Sequence, residues 1–194
     1  MLNKKVILAS QSPRRKQLLE WAEISFDIKV LHTDEHYPED ISNEEVPVYI
    51  ATQKGTIVWD SLDSIQQKDS IIIAADTIVV LDNEIIGKPA NREDAVLILS
   101  KLSGNKHRVI TGVSIISEKE ITNFYDITYV QFHTLTIEQI EYYIDQYKPY
   151  DKAGAYAIQE WIGVTGIHSI DGDFYNVMGL PVSRVVKALE HISK

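Results

Sequence analysis

The sequence predicts an α/β fold built on a mixed β-sheet, and three observations carry that reading. "SIIIAADTIVVL" (70–81) is β-branched and apolar on both faces, as a strand in the middle of a sheet should be. Segments with helical spacing alternate with strand-like runs through the first half of the chain. "HRVITGVSIIS" and "EITNFYDITYVQFHTL" then follow one another as a strand pair of an antiparallel meander. At 194 residues, 44% of them apolar and 24% charged, the chain suits one domain, or two small lobes sharing a sheet.

In chain order, "KKVILA" (4–9) reads as a short buried strand feeding a helix. Ser12 is a good N-cap for that helix, Pro13 suits its first position, and Leu18, Leu19 and Ala22 give it an apolar face. "ISFDIKVL" (24–31) reads as a second strand, followed by the acidic loop "HTDEHYPED". Residues 46–62 have helical spacing and carry Lys54. After the 70–81 strand, "DNE" (82–84) turns the chain toward "IIGKP". Asn91 and Asp94 open a helix with Ala95, Val96, Ile98, Leu99 and Leu102 on one face, and Gly104 stops it. "TIEQIEYYIDQY" carries a Thr136/Gln139 capping box. Beyond the small-residue loop "DKAGAYAIQ", "GLPVSRVVKALEHI" closes the chain as a proline-started amphipathic helix.

Charge excludes some functions. Lys plus Arg is 19 against 28 Asp plus Glu, a net charge of −9. That balance argues against nucleic-acid or anionic-membrane partners, and it requires any anionic ligand to be held by a local cationic cluster. With no cysteine, disulfides, thiolate zinc sites and cysteine nucleophiles are excluded. The first apolar run is too short for a signal peptide, and Asp76 interrupts the longest one, so a cytoplasmic protein with no membrane span is expected.

Asp76 is the most informative residue. A carboxylate inside "IIIAADTIVV" is costly to bury unless it is paired, hydrogen-bonded or bound to metal. Either the strand ends near Ala75 and leaves Asp76 at an exposed bulge, or a rigid strand aims a metal ligand or general base into a cleft. Arg14 and Arg15 stand just inside a helix start, where the helix dipole disfavours cations. They either point into solvent, or join the helix-start N–H groups in holding a phosphate chain. Lys88 sits in a Gly87-Lys88-Pro89 turn, where Gly87 would permit close backbone approach. Asp34 and Glu35, flanked by His32 and His36, offer oxygens for a hard cation such as magnesium, or form an idle acidic loop. "KAGAYAIQ" places small residues ahead of Gln159, as a loop against a ligand, or a tight core corner, would. Walker A, G-x-G-x-x-G and nucleophile-elbow sequences are absent.

Five motifs in order, "LASQSPRR", "AADTIVVLDNEIIGKP", "LSGNKHRVITGV", "DKAGAYAIQ" and "DGDFYNVMGLPVSRV", closely resemble the Maf family of nucleoside triphosphate pyrophosphatases. The resemblance implies a single domain over residues 1–194: an elongated mixed sheet with flanking helices, and two lobes sharing that sheet around a central cleft, as in inosine-triphosphatase-like folds. It implies metal-dependent cleavage of a nucleoside triphosphate to monophosphate and pyrophosphate, with Mg²⁺ or Mn²⁺ as cofactor. Asp76 matches the family's proton acceptor, and Asp76 and Glu35 become the expected metal ligands. Arg14, Thr77 and Gln159 match positions linked to substrate choice. Ser10, Arg15, Lys54 and Lys88 match other polar residues of the cleft. "SPRR", "ADT" and "KAGAY-IQ" look like the branch that acts on dTTP and UTP. At Ala157, Glu160 and Trp161 the chain departs from the family's more usual glycine-rich spacing. A pyrophosphatase for other non-standard nucleotides, and a nucleotide-binding regulator of cell division, are the rival functions. The oligomeric state, a homodimer included, is left open.

Overall fold

The computed structural model describes residues 4–192. β1 (Lys5–Leu8) lies between β2 (Phe26–Ile28) and β3 (Ser70–Leu81), parallel to both, with Val6 opposite Phe26 on one side and Ile71 on the other. β4 (Glu84–Ile86) folds back antiparallel on the end of β3. β5 (Lys106–Ile116), β6 (Ile121–Phe132) and β7 (Ile167–Asp171) complete a seven-stranded sheet of order β2-β1-β3-β5-β6-β7. The expected mixed sheet is therefore present. β3 has the boundaries its composition predicts; β2 is shorter than expected, because Ile28 and Leu31 are exposed and give it little apolar reward.

The chain forms two compact units. One comprises Met1–Asp76, Thr111–Asp126 and Gly179–Lys194; the other comprises Thr77–Ile110 and Ile127–Met178. In the first, Ile7, Ala9, Val58, Leu62, Ile72, Ala74 and Ile116 form a buried cluster with Trp59 packed on its margin. Each large aliphatic side chain buried this way contributes about 1.5–3 kcal/mol. α1 (Pro13–Trp21) buries Leu18 and Leu19, but Ala22 falls at its C-cap and is half-buried. α2 (Glu45–Asp60) buries Val46, Pro47, Ile50, Ala51, Gly55 and Val58. Its entry lies directly on β5: a Cβ on Gly112 would sit 2.2 Å from both the Pro47 carbonyl carbon and the Val48 nitrogen. Only glycine fits there. α8 (Val182–Ile192) starts where the Pro181 carbonyl accepts the Arg184 and Val185 N–H groups, and it buries Val185, Leu189 and Ile192.

In the second unit the β3–β4 hairpin turns on Asp82 and Asn83, both at positive φ (48° and 67°). That is the signature of a two-residue type I′ turn, for which Asn and Asp are suited. α4 (Arg92–Leu102) is capped by Asn91, whose side chain accepts the Asp94 N–H at 2.9 Å. α5 (Ile137–Tyr147) carries the expected Thr136/Gln139 box. The Arg92 guanidinium grips Asp145 with two bonds of 2.7 and 2.9 Å, tying α4 to α5. Among the described residues, three short α-helices go beyond what the spacing predicts: α3 (Ser64–Asp69) in the first unit, and α6 (Trp161–Gly166) and α7 (Phe174–Met178) in the second. Among the described residues, no helix is long and apolar enough to cross a membrane.

His107 is buried and hydrogen-bonded through Nε2 to the Tyr156 hydroxyl at 2.8 Å, with Phe132 stacked on its ring. Burial pushes its pKa from 6.5 down to about 4. The unfolded chain therefore binds a proton that the native protein refuses, and stability falls as pH drops from about 6.5 toward 4. The shift corresponds to a loss on the order of 3 kcal/mol across that window. Denaturant midpoints measured between pH 7 and pH 4 are expected to show this slope, and a His107→Gln variant is expected to flatten it.

Candidate functional site

β3 does not end at Ala75; it continues unbroken through Asp76, which corrects the exposed-bulge alternative. β3 pairs with β1 as far as Ile73 and with β4 from Val79 onward, so Asp76 lies between its two paired stretches. The Asp76 side chain is 16% exposed, and its Oδ1 accepts a 2.8 Å hydrogen bond from Lys54 Nζ on α2. Lys54, 19% exposed, lies equally close, at 2.8 Å, to Glu35 Oε1. One ammonium thus bridges two carboxylates, one on a rigid strand and one on the irregular loop after β2.

Arg15 extends from the first turn of α1 into the same group of charges. Its Nε donates to the Gly179 carbonyl at 2.7 Å, and its Nη1 donates to Ser10 Oγ at 3.1 Å. Ser10 Oγ also accepts the Ser12 N–H at 3.2 Å, so the loop before α1 is folded around this hydroxyl. The Ser12 side chain makes no capping bond of its own. Burial lowers the Arg15 pKa, Asp76 and Glu35 pull it back up, and Arg14 lowers it. Those effects require Arg14, Arg15, Glu35 and Asp76 to share one electrostatic field. With Lys54 added, three cations meet two carboxylates in a chain that is acidic overall. Such a cluster suits an anion rich in oxygens.

Asp34 does not join it. Its Oδ1 is 3.3 Å from His36 Nε2, on an exposed stretch of the loop, while Glu35 reaches Lys54. The sequence-adjacent acidic pair is therefore split. Among the described residues, no group of three or more His, Asp or Glu side chains converges as a protein-only metal cage.

Thr77 follows Asp76 on β3 and is half-buried, whereas Lys88 and Gln159 are exposed; these three belong to the second unit. Gly87 has open space where a Cβ would be, so close approach is not the reason for glycine there. What it supplies is a carbonyl, which accepts the Gly154 N–H at 3.1 Å. Gly154 itself has φ +70°, and a Cβ on it would lie 2.9 Å from Val79 Cγ2. The "DKAGAYAIQ" segment is thus a tight corner pressed on its own unit's core, with Gln159 the exposed residue at its end. The Gly179 carbonyl that anchors Arg15 was missed, because a backbone acceptor leaves no side-chain signal in a sequence.

The chain matches the Maf-like protein family over residues 5–192. A dTTP/UTP pyrophosphatase of Cytophaga hutchinsonii is 50% identical over 188 residues, covering 97% of this chain and 84% of that one. Proteins of the same name from Parabacteroides distasonis and Bacteroides thetaiotaomicron are 46% and 44% identical, each covering 96% of this chain and 95% of their own. Among solved structures, the Ham1 protein of Staphylococcus aureus aligns with TM-score 0.43 and 18% identity, over 66% of this chain and 72% of that one. With the family match running from the first strand to the last helix, and relatives aligned over nearly their whole lengths, the chain belongs to the Maf family.

Proposed function

We infer that this chain is a nucleoside triphosphate pyrophosphatase that hydrolyses dTTP and UTP to the monophosphate and pyrophosphate, with the Asp76 cluster as its active site. The observation that carries this reading is Lys54 held between Asp76 and Glu35 at 2.8 Å from each, beside the half-buried guanidinium of Arg15. The family relatives named dTTP/UTP pyrophosphatase support the substrate assignment.

Water must attack the α-phosphorus as pyrophosphate leaves, and negative charge builds on the non-bridging and leaving oxygens. Asp76 takes the proton from the attacking water, from a strand that fixes its position. Arg15 is held by Gly179 and Ser10 before substrate arrives, so it meets the developing charge without reorganising. Arg14 and Lys54 hold further phosphate oxygens; the family resemblance is what gives Lys88 a part in phosphate binding, and Thr77 and Gln159 a part in base choice. Two carboxylates that already converge on one cation, the Lys54 ammonium, would fit a hard divalent ion in its place, since such an ion takes one or two protein carboxylates and completes its shell with phosphate oxygens and water. Glu35 and Asp76 would hold Mg²⁺ or Mn²⁺, and the bound ion would supply charge neutralisation on the phosphates.

Two results test this function. Eight common nucleotides incubated with magnesium are expected to give monophosphate and pyrophosphate by chromatography, with dTTP and UTP turned over fastest. Diphosphate and orthophosphate would reject the reaction type, and a preference for purines would favour the rival substrate class. Excess chelator is expected to abolish turnover, and restored Mg²⁺ or Mn²⁺ to recover it; full activity in chelator would reject the metal.

A further inference from the structure

Gly154 to Ile158 are buried, Gln159 is exposed, and Glu160 is half-buried. The buried run is tied at several points to its own unit. Gly154 donates to the Gly87 carbonyl, and Tyr156 meets His107. The Ala157 N–H donates to the Tyr143 hydroxyl at 3.1 Å, and that hydroxyl donates in turn to Glu160 Oε2. The other Glu160 oxygen lies 3.7 Å from the ammonium of Lys152, itself 8% exposed.

Glu160 stands at the N-cap position of α6, yet its side chain makes no capping bond. A capping acceptor there typically contributes about 1 kcal/mol, so turning the carboxylate away needs a better use for it. Tyr143 is fully buried, and a buried phenol hydroxyl needs partners. Here it both accepts and donates, joining residue 157 to residue 160. Lys152 extends the tie to the start of the segment. Gln159 is the exposed residue inside this bracket.

We propose that Tyr143 and Glu160 are positioning residues, which fix the backbone on both sides of Gln159 and thereby set the discrimination between nucleobases without touching substrate. The proposal rests on the reading of Gln159 as a substrate-facing residue. A carboxamide presents one acceptor and one donor edge, complementary to the ring N–H and carbonyl that thymine and uracil share and cytosine does not. Such discrimination is large only when the amide is held in place, since a mobile group re-pairs with water or with the wrong base.

The test compares kcat/KM for UTP and CTP in the wild type, Gln159→Ala, Tyr143→Phe, Glu160→Ala, Glu160→Gln and the doubles of the first three. Tyr143→Phe and Glu160→Ala are each expected to lower the UTP/CTP ratio about tenfold. Neither should lower it further once Gln159 is alanine, because residues acting through one another are not additive. Glu160→Gln keeps an acceptor for the Tyr143 hydroxyl and is expected to recover most of the ratio. Should Glu160→Ala not fold, Tyr143→Phe and Glu160→Gln carry the same readout. A fall in kcat/KM that is equal for both nucleotides, or that adds to the Gln159→Ala effect, overturns the positioning role while leaving Gln159 in place. An unchanged ratio in Gln159→Ala overturns the reading of Gln159 and this proposal together.

Discussion

Replacing Asp76 by asparagine is expected to lower kcat on dTTP and UTP by about 10²-fold or more, the scale of losing a general base. Asparagine has nearly the same shape, so β3 keeps its packing between Ala75 and Thr77. What disappears is the negative charge and the basicity. Lys54 still has Glu35 at 2.8 Å, and an asparagine oxygen still accepts its hydrogen bond, so the neighbouring side chains stay in place. Relieving a stranded carboxylate would stabilise the fold, but Asp76 is not stranded. It is paired with Lys54, and a small loss of about 1 kcal/mol is expected instead. Turnover and thermal midpoint measured on the same sample check this. Near-normal turnover would remove Asp76 from the mechanism, and a collapsed midpoint would make it a structural carboxylate.

A large loss of stability is expected from Gly112→Ala. The added methyl would sit 2.2 Å from the Pro47 carbonyl carbon and the Val48 nitrogen, and 2.5 Å from the Pro47 oxygen. All three are main-chain atoms in the first turn of α2, so no side chain can swing aside. The helix has to move as a body, and a cost of about 3 kcal/mol is expected for overpacking of this kind. α2 also carries Lys54, so the Lys54–Asp76 contact shifts with it and turnover falls alongside stability. Gly87→Ala is the control: its Cβ meets nothing within 4 Å, and a stability change within about 0.5 kcal/mol is expected. Urea midpoints for the two variants test the contrast; equal midpoints would show that the α2–β5 approach is not tight.

What could be foreseen in the sequence was what periodicity and capping chemistry encode. β3 was legible because Ile71 to Ala75 and Ile78 to Val80 are buried and read apolar on both faces. α4 and α5 announced themselves through caps and long apolar stripes. α3 does carry a cap signal, since Asp63 and Gln66 form a capping box, but it buries no residue and so has no apolar face to recognise. β7 was not anticipated either. Its residues are almost all exposed, and its place in the sheet comes from pairing with β6 rather than from its own alternation. At the candidate site, the chemistry of Asp76, Lys54 and Arg15 was legible as residue types. Their partners were not, because Lys54 meets Asp76 from 22 positions away and Arg15 meets a carbonyl. Asp34 looked equivalent to Glu35 until the backbone sent one to His36 and the other to Lys54.

The anchor of Arg15 on Gly179 spans 164 positions of the chain. It falls inside a unit that opens with Met1–Asp76 and closes with Gly179–Lys194, while the other unit is complete by Met178. A ribosome therefore delivers every residue of the second unit before it delivers the carbonyl that Arg15 requires. Units that are complete fold as they emerge, at the pace of translation. Ser10, Arg15, Lys54 and Asp76 leave the ribosome early yet wait for Gly179, so the guanidinium is the last of these groups to be locked in place.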